Sequence, residues 1–316
     1  MRILVSGASG LVGRSLIAFL EKETHEVVRL IRADGKPGKR PPHNNEEAEL
    51  CKGLGKGLVV WDPSSDQIEL HALENFDCVF HLAGKNIVGK RWTKRFKEGL
   101  FQSRCRDTWL LSQAFARVKT RPKIIITASA VGYYGDRGDE ELDENAIQGK
   151  GFLADLCAHW ERATDVVEHN GTRVVHARFG VIMSPDGGML NKFKTPFRLG
   201  LGAIMGSGQQ WMSWAGINDT VRALNHMMCN SQLKGPVNVC TAAPIRNEGF
   251  THLLAGTLHR RAFLRIPRGV LRLLLGEVAE TMLLSSTKAL PVKLLKSGFL
   301  FEQPNVQQLF QAFGWY

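Results

Sequence analysis

Along the first half of the chain, short apolar runs alternate with amphipathic stretches. RILVSG, EVVRLI, GLVVW, DCVFHLAG, KIIITAS and RVVHARFG are near-continuous Val/Ile/Leu segments. Strands covered on both faces read this way, whereas half-exposed strands alternate apolar with polar. LVGRSLIAFLEKE places Leu16, Phe19 and Leu20 on one helical face. A helical stretch over about 92–118 separates the fourth and fifth runs, and another over about 151–168 separates the fifth and sixth. Strand–helix–strand repetition predicts a parallel sheet with helices on both faces. Right-handed crossovers then leave a doubly wound α/β topology.

The rhythm breaks twice. Residues 35–57 are rich in Gly, Pro, Asn and charge and read as an inserted loop, with a short helix over 45–52. After Gly180 the chain becomes turn-rich, in SPDGGML and RLGLGAIMGSGQQW. WMSWAGINDTVRALNHMM then predicts a strand and a helix with Asp219 in its first turn, and PVNVC a strand at the sheet edge. Beyond Pro244 the pattern predicts helix 247–258, strand 263–266, helix 269–284, a short helix around Val292, strand 298–301 and helix 305–313. The domain reading is a Rossmann unit over 1–182, completed by about 217–241. A smaller C-terminal α+β substrate lobe takes 183–216 and 242–316.

Composition narrows the class. At 316 residues, 44% hydrophobic and 22% charged, the chain has the balance of a soluble globular protein. Cys51, Cys78, Cys105, Cys157, Cys229 and Cys240 form no C-x-x-C pair, which argues against a zinc knuckle or redox couple and for reduced thiols in a reducing compartment. The ten histidines form no metal-ligand spacing. The net charge of +11 concentrates over 29–40 and 85–106. No nucleic-acid module accompanies it, so these read as solvated faces rather than a nucleic-acid surface. The apolar N-terminus is broken by Gly7, Gly10, Gly13 and Arg14, unlike a signal peptide, and no 18-residue uncharged apolar run exists. The expectation is a cytoplasmic protein with a small-molecule substrate, no membrane or nucleic-acid partner, and a monomeric or homodimeric state.

The chemistry begins at Gly7-Ala-Ser-Gly10-Leu-Val-Gly13. Glycines are needed where backbone turns sharply against a pyrophosphate, and the following helix N-terminus meets the anionic charge. The spacing is G-x-x-G-x-x-G, and its place between a strand and a helix supports dinucleotide binding. Arg32 lies 19 residues past Gly13, at the end of the second strand. An Arg there favours the 2′-phosphate of NADP(H), with Arg29 and Lys36 adding charge; Asp34 is the competing reading, an NAD-type acid.

With SGASGLVG, HLAG and TASAVGYYG together, the chain resembles the extended, epimerase-like branch of the short-chain dehydrogenase/reductase superfamily. KRWTKRFKEGLFQSR, FLADLCAHWE, PFRLGLGAIMGSGQQWMSW and LPVKLLKSGFLF resemble the atypical epimerase-like proteins within it. The resemblance implies that Gly7, Ser9, Gly10, Leu11, Val12 and Gly13 cradle the cofactor phosphates and that Arg32 takes the 2′-phosphate. It implies adenine contact at Asp62, adenosine and ribose contact at Leu82, Ala83 and Gly84, and the catalytic serine at Ser129. The chain departs from the family pattern at Trp214–Asp219, which lacks a His and an Asp, and at Ser285-Ser286-Thr287, where Glu-Gly-Gln is usual.

In the superfamily a Tyr-x-x-x-Lys pair moves the proton that accompanies hydride transfer. Here the slot reads Phe152 and Leu156, which have neither a phenol nor an ammonium. Tyr133 and Tyr134, just past Ser129, are the candidates to supply the proton, with packing as the alternative role. Lys85 and Lys150 stand nearby in sequence. Arg178, Arg198, Gln210, Trp211 and Trp214 are the candidate substrate contacts, with lobe packing as the alternative. Two functions follow. One is an NADP-binding epimerase-like oxidoreductase acting on a small carbonyl or sugar-like substrate. The other is a catalytically weak or inactive NADP(H)-binding sensor or partner-binding protein. A Rossmann methyltransferase is a third, weaker reading.

Overall fold

A computed structural model describes residues 1–32, 57–63, 68–88 and 91–315. The predicted loop at 35–57 lies outside these apart from Gly57, as do Asp34, Lys36 and the helix expected over 45–52. Seven strands form the central sheet: β1 (Arg2–Ser6), β2 (Glu26–Arg32), β3 (Leu58–Trp61), β4 (Cys78–His81), β5 (Ile124–Ala130), β6 (Arg173–Phe179) and β7 (Gly235–Val239). Their order is β7-β6-β5-β4-β1-β2-β3, with every pairing parallel. This is the doubly wound parallel Rossmann sheet anticipated from the apolar runs, and PVNVC forms its edge strand.

The runs are continuous because both faces are covered. In β1, Ile3 and Val5 point into one core with Leu16, Leu20, Phe80 and Leu224, while Leu4 points into the other with Val28, Val79, Leu111 and Phe115. Helices α1 (Leu11–Lys22) and α5 (Ile217–Cys229) bear on the first core. The stretch predicted as one helix over 92–118 is α2 (Lys94–Phe101), a π turn at Gln102–Arg106 and α3 (Asp107–Arg117). Thr93 starts it, its hydroxyl accepting the Phe96 N–H at 3.2 Å. Helix α4 (Phe152–Arg162) crosses between β5 and β6.

Beyond Gly180 a separate apolar cluster gathers Met183, Leu190, Phe197, Trp214, Phe250, Leu254 and Phe310, between the helices Gly188–Arg198, Asn247–Thr257 and Val306–Ala312. Short strands pair around it, among them Ala203–Met205 with Leu264–Ile266. Two expectations fail here. The helix predicted over 269–284 stops at Leu275, where Gly276 adopts φ +63°, and resumes as a π turn at Ala279–Leu283. The strand predicted over 298–301 is absent. The Leu300 carbonyl accepts from Arg222, and the Glu302 and Gln303 N–H groups donate to the buried Asp219, so side chains replace a neighbouring strand. Among the described residues, no helix is long and apolar enough to cross a membrane.

Candidate functional site

The glycine turn joins β1 to α1 against the segment leaving β4. Gly7 has φ +73°, and a Cβ there would lie 2.7 Å from the Leu82 carbonyl carbon and 2.8 Å from the Ala83 nitrogen. A Cβ at Gly13 would lie 2.1 Å from the Gly7 oxygen. The Gly10 N–H closes the turn onto that oxygen at 2.9 Å, and α1 then begins with no side chain capping it. Ser9 and Gly10 are exposed, Leu11 and Val12 half-buried, and Ala83 and Gly84 stand opposite on the chain leaving β4. The turn is therefore packed backbone to backbone, with no room for a Cβ at Gly7 or Gly13, and it leads into a helix N-terminus whose first amide groups no side chain caps.

Under the turn, Ser6 Oγ lies 2.7 Å from His81 Nδ1 and receives the Ala83 N–H at 3.3 Å; His81 Nε2 lies 2.9 Å from Thr108 Oγ1. Burial lowers the His81 pKa to about 4, so its imidazole is neutral and the chain is a structural brace.

At the end of β2, exposed Arg32 pairs with Asp107 at 3.1 Å, at the start of α3. Arg106 reaches the Pro63 carbonyl at 3.0 Å, and half-buried Asp62 follows β3. Burial raises the Asp107 carboxyl above the usual carboxylate range, opposed by Arg32 and Arg106. Two guanidinium groups thus stand at the ends of β2 and β3, on the carboxyl side of the sheet, where doubly wound folds bind ligands.

Ser129 is buried, and its hydroxyl donates to Glu161 at 2.6 Å. Arg178 clasps the same carboxylate with two bonds, at 2.8 and 2.7 Å. Its remaining nitrogen donates to the Tyr134 hydroxyl at 3.0 Å, which donates to Asn238 at 2.8 Å. Tyr134 is fully buried, and burial pushes its phenol up to about 12 against the pull of Arg178. Tyr133 is half-buried; the Arg178 guanidinium lies 3.6 Å from its ring centroid, and its hydroxyl bonds no described residue. Glu161, Asn238 and Glu144, which accepts the Asn238 N–H, are the members sequence reasoning missed.

The slot read as Phe152 and Leu156 needs correction. The residues of α4 that face the turn after Ser129 are Leu153 and Cys157: a Cβ on Gly132 would meet their side chains at 3.5 and 4.0 Å. Phe152 instead packs edge-on against Trp92, and Leu156 lies in the cluster with Cys105, Ala128 and Trp160. Neither pair holds a phenol or an ammonium, and burial pushes the Cys157 thiol up to about 12. A cavity of about 280 Å³ opens beside this turn. Gly132, Lys150, Phe152 and Leu153 line one side; Glu277, Glu280, Thr281 and Ser285 line the other.

The candidate substrate residues do not converge. Arg178 is locked in the buried network. Trp214 is fully buried and donates to the Ala243 carbonyl at 3.0 Å. Gln210 bonds the Met205 and Leu283 carbonyls at 3.0 and 2.8 Å. Trp211 is half-buried, donates to Asp139 at 2.6 Å and has Arg246 over its ring. Arg198 is exposed at the end of the helix Gly188–Arg198, with the Arg260 side chain on its carbonyl.

A model of the NAD dependent epimerase/dehydratase family matches residues 3–240, and a domain of unknown function, DUF1731, matches residues 266–313. An epimerase family protein of Mycobacterium bovis is 40% identical over 304 residues, spanning 96% of this chain and 94% of its own. One from Staphylococcus aureus is 33% identical over 305 residues, 96% of each chain. Among solved structures, human epimerase family protein SDR39U1, crystallised with NADPH, superposes with a TM-score of 0.84 at 28% identity, covering 99% of this chain and 98% of that one.

Proposed function

The chain belongs to the NAD dependent epimerase/dehydratase family, and from that premise we propose that it is an NADP(H)-dependent, epimerase-like oxidoreductase acting on a small carbonyl or sugar-like substrate. One observation carries the reading: the close-packed glycine turn, in which no Cβ fits at Gly7 or Gly13, leads into a helix that no side chain caps. A dinucleotide pyrophosphate fits such a turn. The similar human protein crystallised with NADPH supports the choice of cofactor.

In this reading Gly7, Ser9, Gly10, Leu11, Val12 and Gly13 hold the pyrophosphate. Arg32 takes the 2′-phosphate, Asp62 contacts the adenine, and Leu82, Ala83 and Gly84 flank the adenosine side. A nicotinamide held by these residues would supply or accept the hydride. Tyr133, its ring held on Arg178, gives the proton to the substrate oxygen. Ser129, whose hydroxyl donates to Glu161, accepts a hydrogen bond from the product hydroxyl. Tyr134 supports this geometry from inside the network. Residues 1–182 with 217–241 form the cofactor unit, and 183–216 with 242–316 the substrate lobe.

A second reading has its own observation. Leu153, Cys157, Phe152 and Leu156 leave α4 without the usual proton-handling pair, which favours a cofactor-binding sensor with little turnover. NADPH oxidation measured against a panel of small aldehydes, ketones and oxo acids separates the two. Turnover that falls in Tyr133→Phe supports the oxidoreductase, and tight NADPH binding without turnover on any carbonyl supports the sensor.

A further inference from the structure

The basic stretch over 85–106 reads as a solvated face, but one of its arginines packs inward. Arg104 stands in the π turn Gln102–Arg106, between α2 and α3. Such turns inside α-helices recur at functional sites. The Arg104 guanidinium carbon lies 5.0 Å from the centroid of the buried Trp160 ring. That ring is itself fixed, its indole N–H donating to the Thr108 hydroxyl at 3.0 Å. Gly84 stands against the same guanidinium: a Cβ there would lie 3.5 Å from its carbon and 3.6 and 3.7 Å from its two terminal nitrogens.

Little answers this charge. One nitrogen donates to the Lys85 carbonyl at 3.0 Å, and the guanidinium forms no ion pair among the described residues. A guanidinium has five N–H donors, so most of them are unspent. Burial pulls the Arg104 pKa below the ordinary arginine value, as expected of a group stripped of water. A desolvated charge without a partner costs stability. Lys85 does not share the place, for its ammonium lies over the Phe96 ring, 4.7 Å from the centroid.

The position supplies the partner. Leu82 and Ala83 press on Gly7 in the glycine turn, and Gly84 follows them directly. One short segment leaving β4 thus runs from that turn to the Arg104 guanidinium. In the sheet, β2 and β3, which end at Arg32 and near Asp62, lie on one side of β1, and β4 and β5 lie on the other. A dinucleotide bound across the point where strand order reverses lays one half on each side. Arg104 stands on the β4 side. Helix α4 offers no cation there, since Leu153 and Cys157 are its residues facing the turn after Ser129.

We propose that Arg104 holds the nicotinamide-nucleotide half of the cofactor, its guanidinium donating to the phosphate and ribose oxygens of that half with the Trp160 ring as its platform. The proposal deepens the cofactor reading of the glycine turn and rests on it. Arg32 and Arg104 then serve opposite ends of one ligand.

The test is calorimetry on the full chain with NADPH and with 2′,5′-ADP, which carries the 2′-phosphate but no nicotinamide half. Arg104→Met keeps an unbranched side chain against Trp160 and removes the charge. It should weaken NADPH binding about tenfold or more and change 2′,5′-ADP binding by less than about threefold. Arg104→Lys should recover part of the NADPH loss. Arg32→Ala should weaken both ligands. Retained 2′,5′-ADP binding shows that a variant is folded, and should Arg104→Met fail to fold, Arg104→Gln carries the same comparison. NADPH binding unchanged in the variant, or both ligands weakened alike, would overturn the assignment and leave the cofactor reading standing. A parent protein that binds neither ligand would remove the cofactor reading itself, and this assignment with it.

Discussion

Ser129 and Glu161 are joined by a 2.6 Å hydrogen bond, and the carboxylate that receives it is gripped from the other side by Arg178. Arg178 is 3% exposed and Glu161 11%. Removing one partner of a buried pair leaves an uncompensated charge and costs about 3–5 kcal/mol. Glu161→Gln should therefore lose stability of that order in urea unfolding. Glu161→Leu combined with Arg178→Met should lose less than either single change. If Glu161→Gln unfolds like the parent, the pair is not formed in solution.

The two adjacent tyrosines should separate cleanly. Tyr134→Phe leaves Asn238 and Arg178 each short of a buried partner, a loss of about 1–3 kcal/mol, with the thermal midpoint reporting it. Tyr133→Phe should hardly move that midpoint, because its hydroxyl bonds no described residue, but should lower any NADPH-dependent turnover by tenfold or more. Equal turnover in Tyr133→Phe would reassign the proton to another group.

These contrasts mark what was legible in the sequence. The sheet was, because a strand covered on both faces must be apolar along its whole length. The glycine turn was, because a glycine that cannot bear a Cβ is a local requirement. The Glu161–Arg178 pair was not: it joins α4 to β6 across 17 residues, and nothing local marks either member. Tyr134, Trp214 and Gln210 are residue types that serve equally well in cores and in pockets, and only burial separates the roles. The helix over 269–284 was overextended because its apolar spacing passes through Gly276, whose left-handed backbone breaks it. The strand over 298–301 was misread because an extended apolar segment can be tied by Asp219 and Arg222 as well as by a neighbour.

Gly13→Ala should abolish NADPH binding. The added methyl would stand 2.1 Å from the Gly7 oxygen, so the turn must open before the helix can form. Fluorescence titration should show at least a hundredfold weaker NADPH binding, with far-ultraviolet dichroism close to that of the parent. Gly256→Ala is the matched control: Gly256 also lies inside a helix without positive φ, but a Cβ there meets nothing within 4 Å.

Stability should fall as pH drops from about 6.5 to about 4. Burial holds the His81 pKa near 4, below the ordinary value of 6.5, and lowers the buried His176 as well. The unfolded chain therefore binds more protons across this window, and stability rises with pH there. For His81 the loss could reach about 3 kcal/mol. His81→Asn should lower stability at neutral pH yet flatten part of the slope. A slope unchanged in that variant would mean other groups carry it.

Arg32 should set the preference between the two nicotinamide cofactors. It is about half exposed, stands at the end of β2, and is held 3.1 Å from Asp107 rather than buried by it. A guanidinium so placed can turn to a 2′-phosphate, and a hydrogen bond to a charged group contributes about 1.5–3 kcal/mol. Arg32→Ala should thus weaken NADPH binding by roughly tenfold to a hundredfold and leave NADH nearly unchanged. Asp107 competes for the same guanidinium, so Asp107→Asn should move NADPH affinity the opposite way, by a few-fold. Calorimetry of both cofactors with the three proteins decides it. If the parent binds NADH as tightly as NADPH, the Arg32–Asp107 pair is structural and the 2′-phosphate assignment is lost.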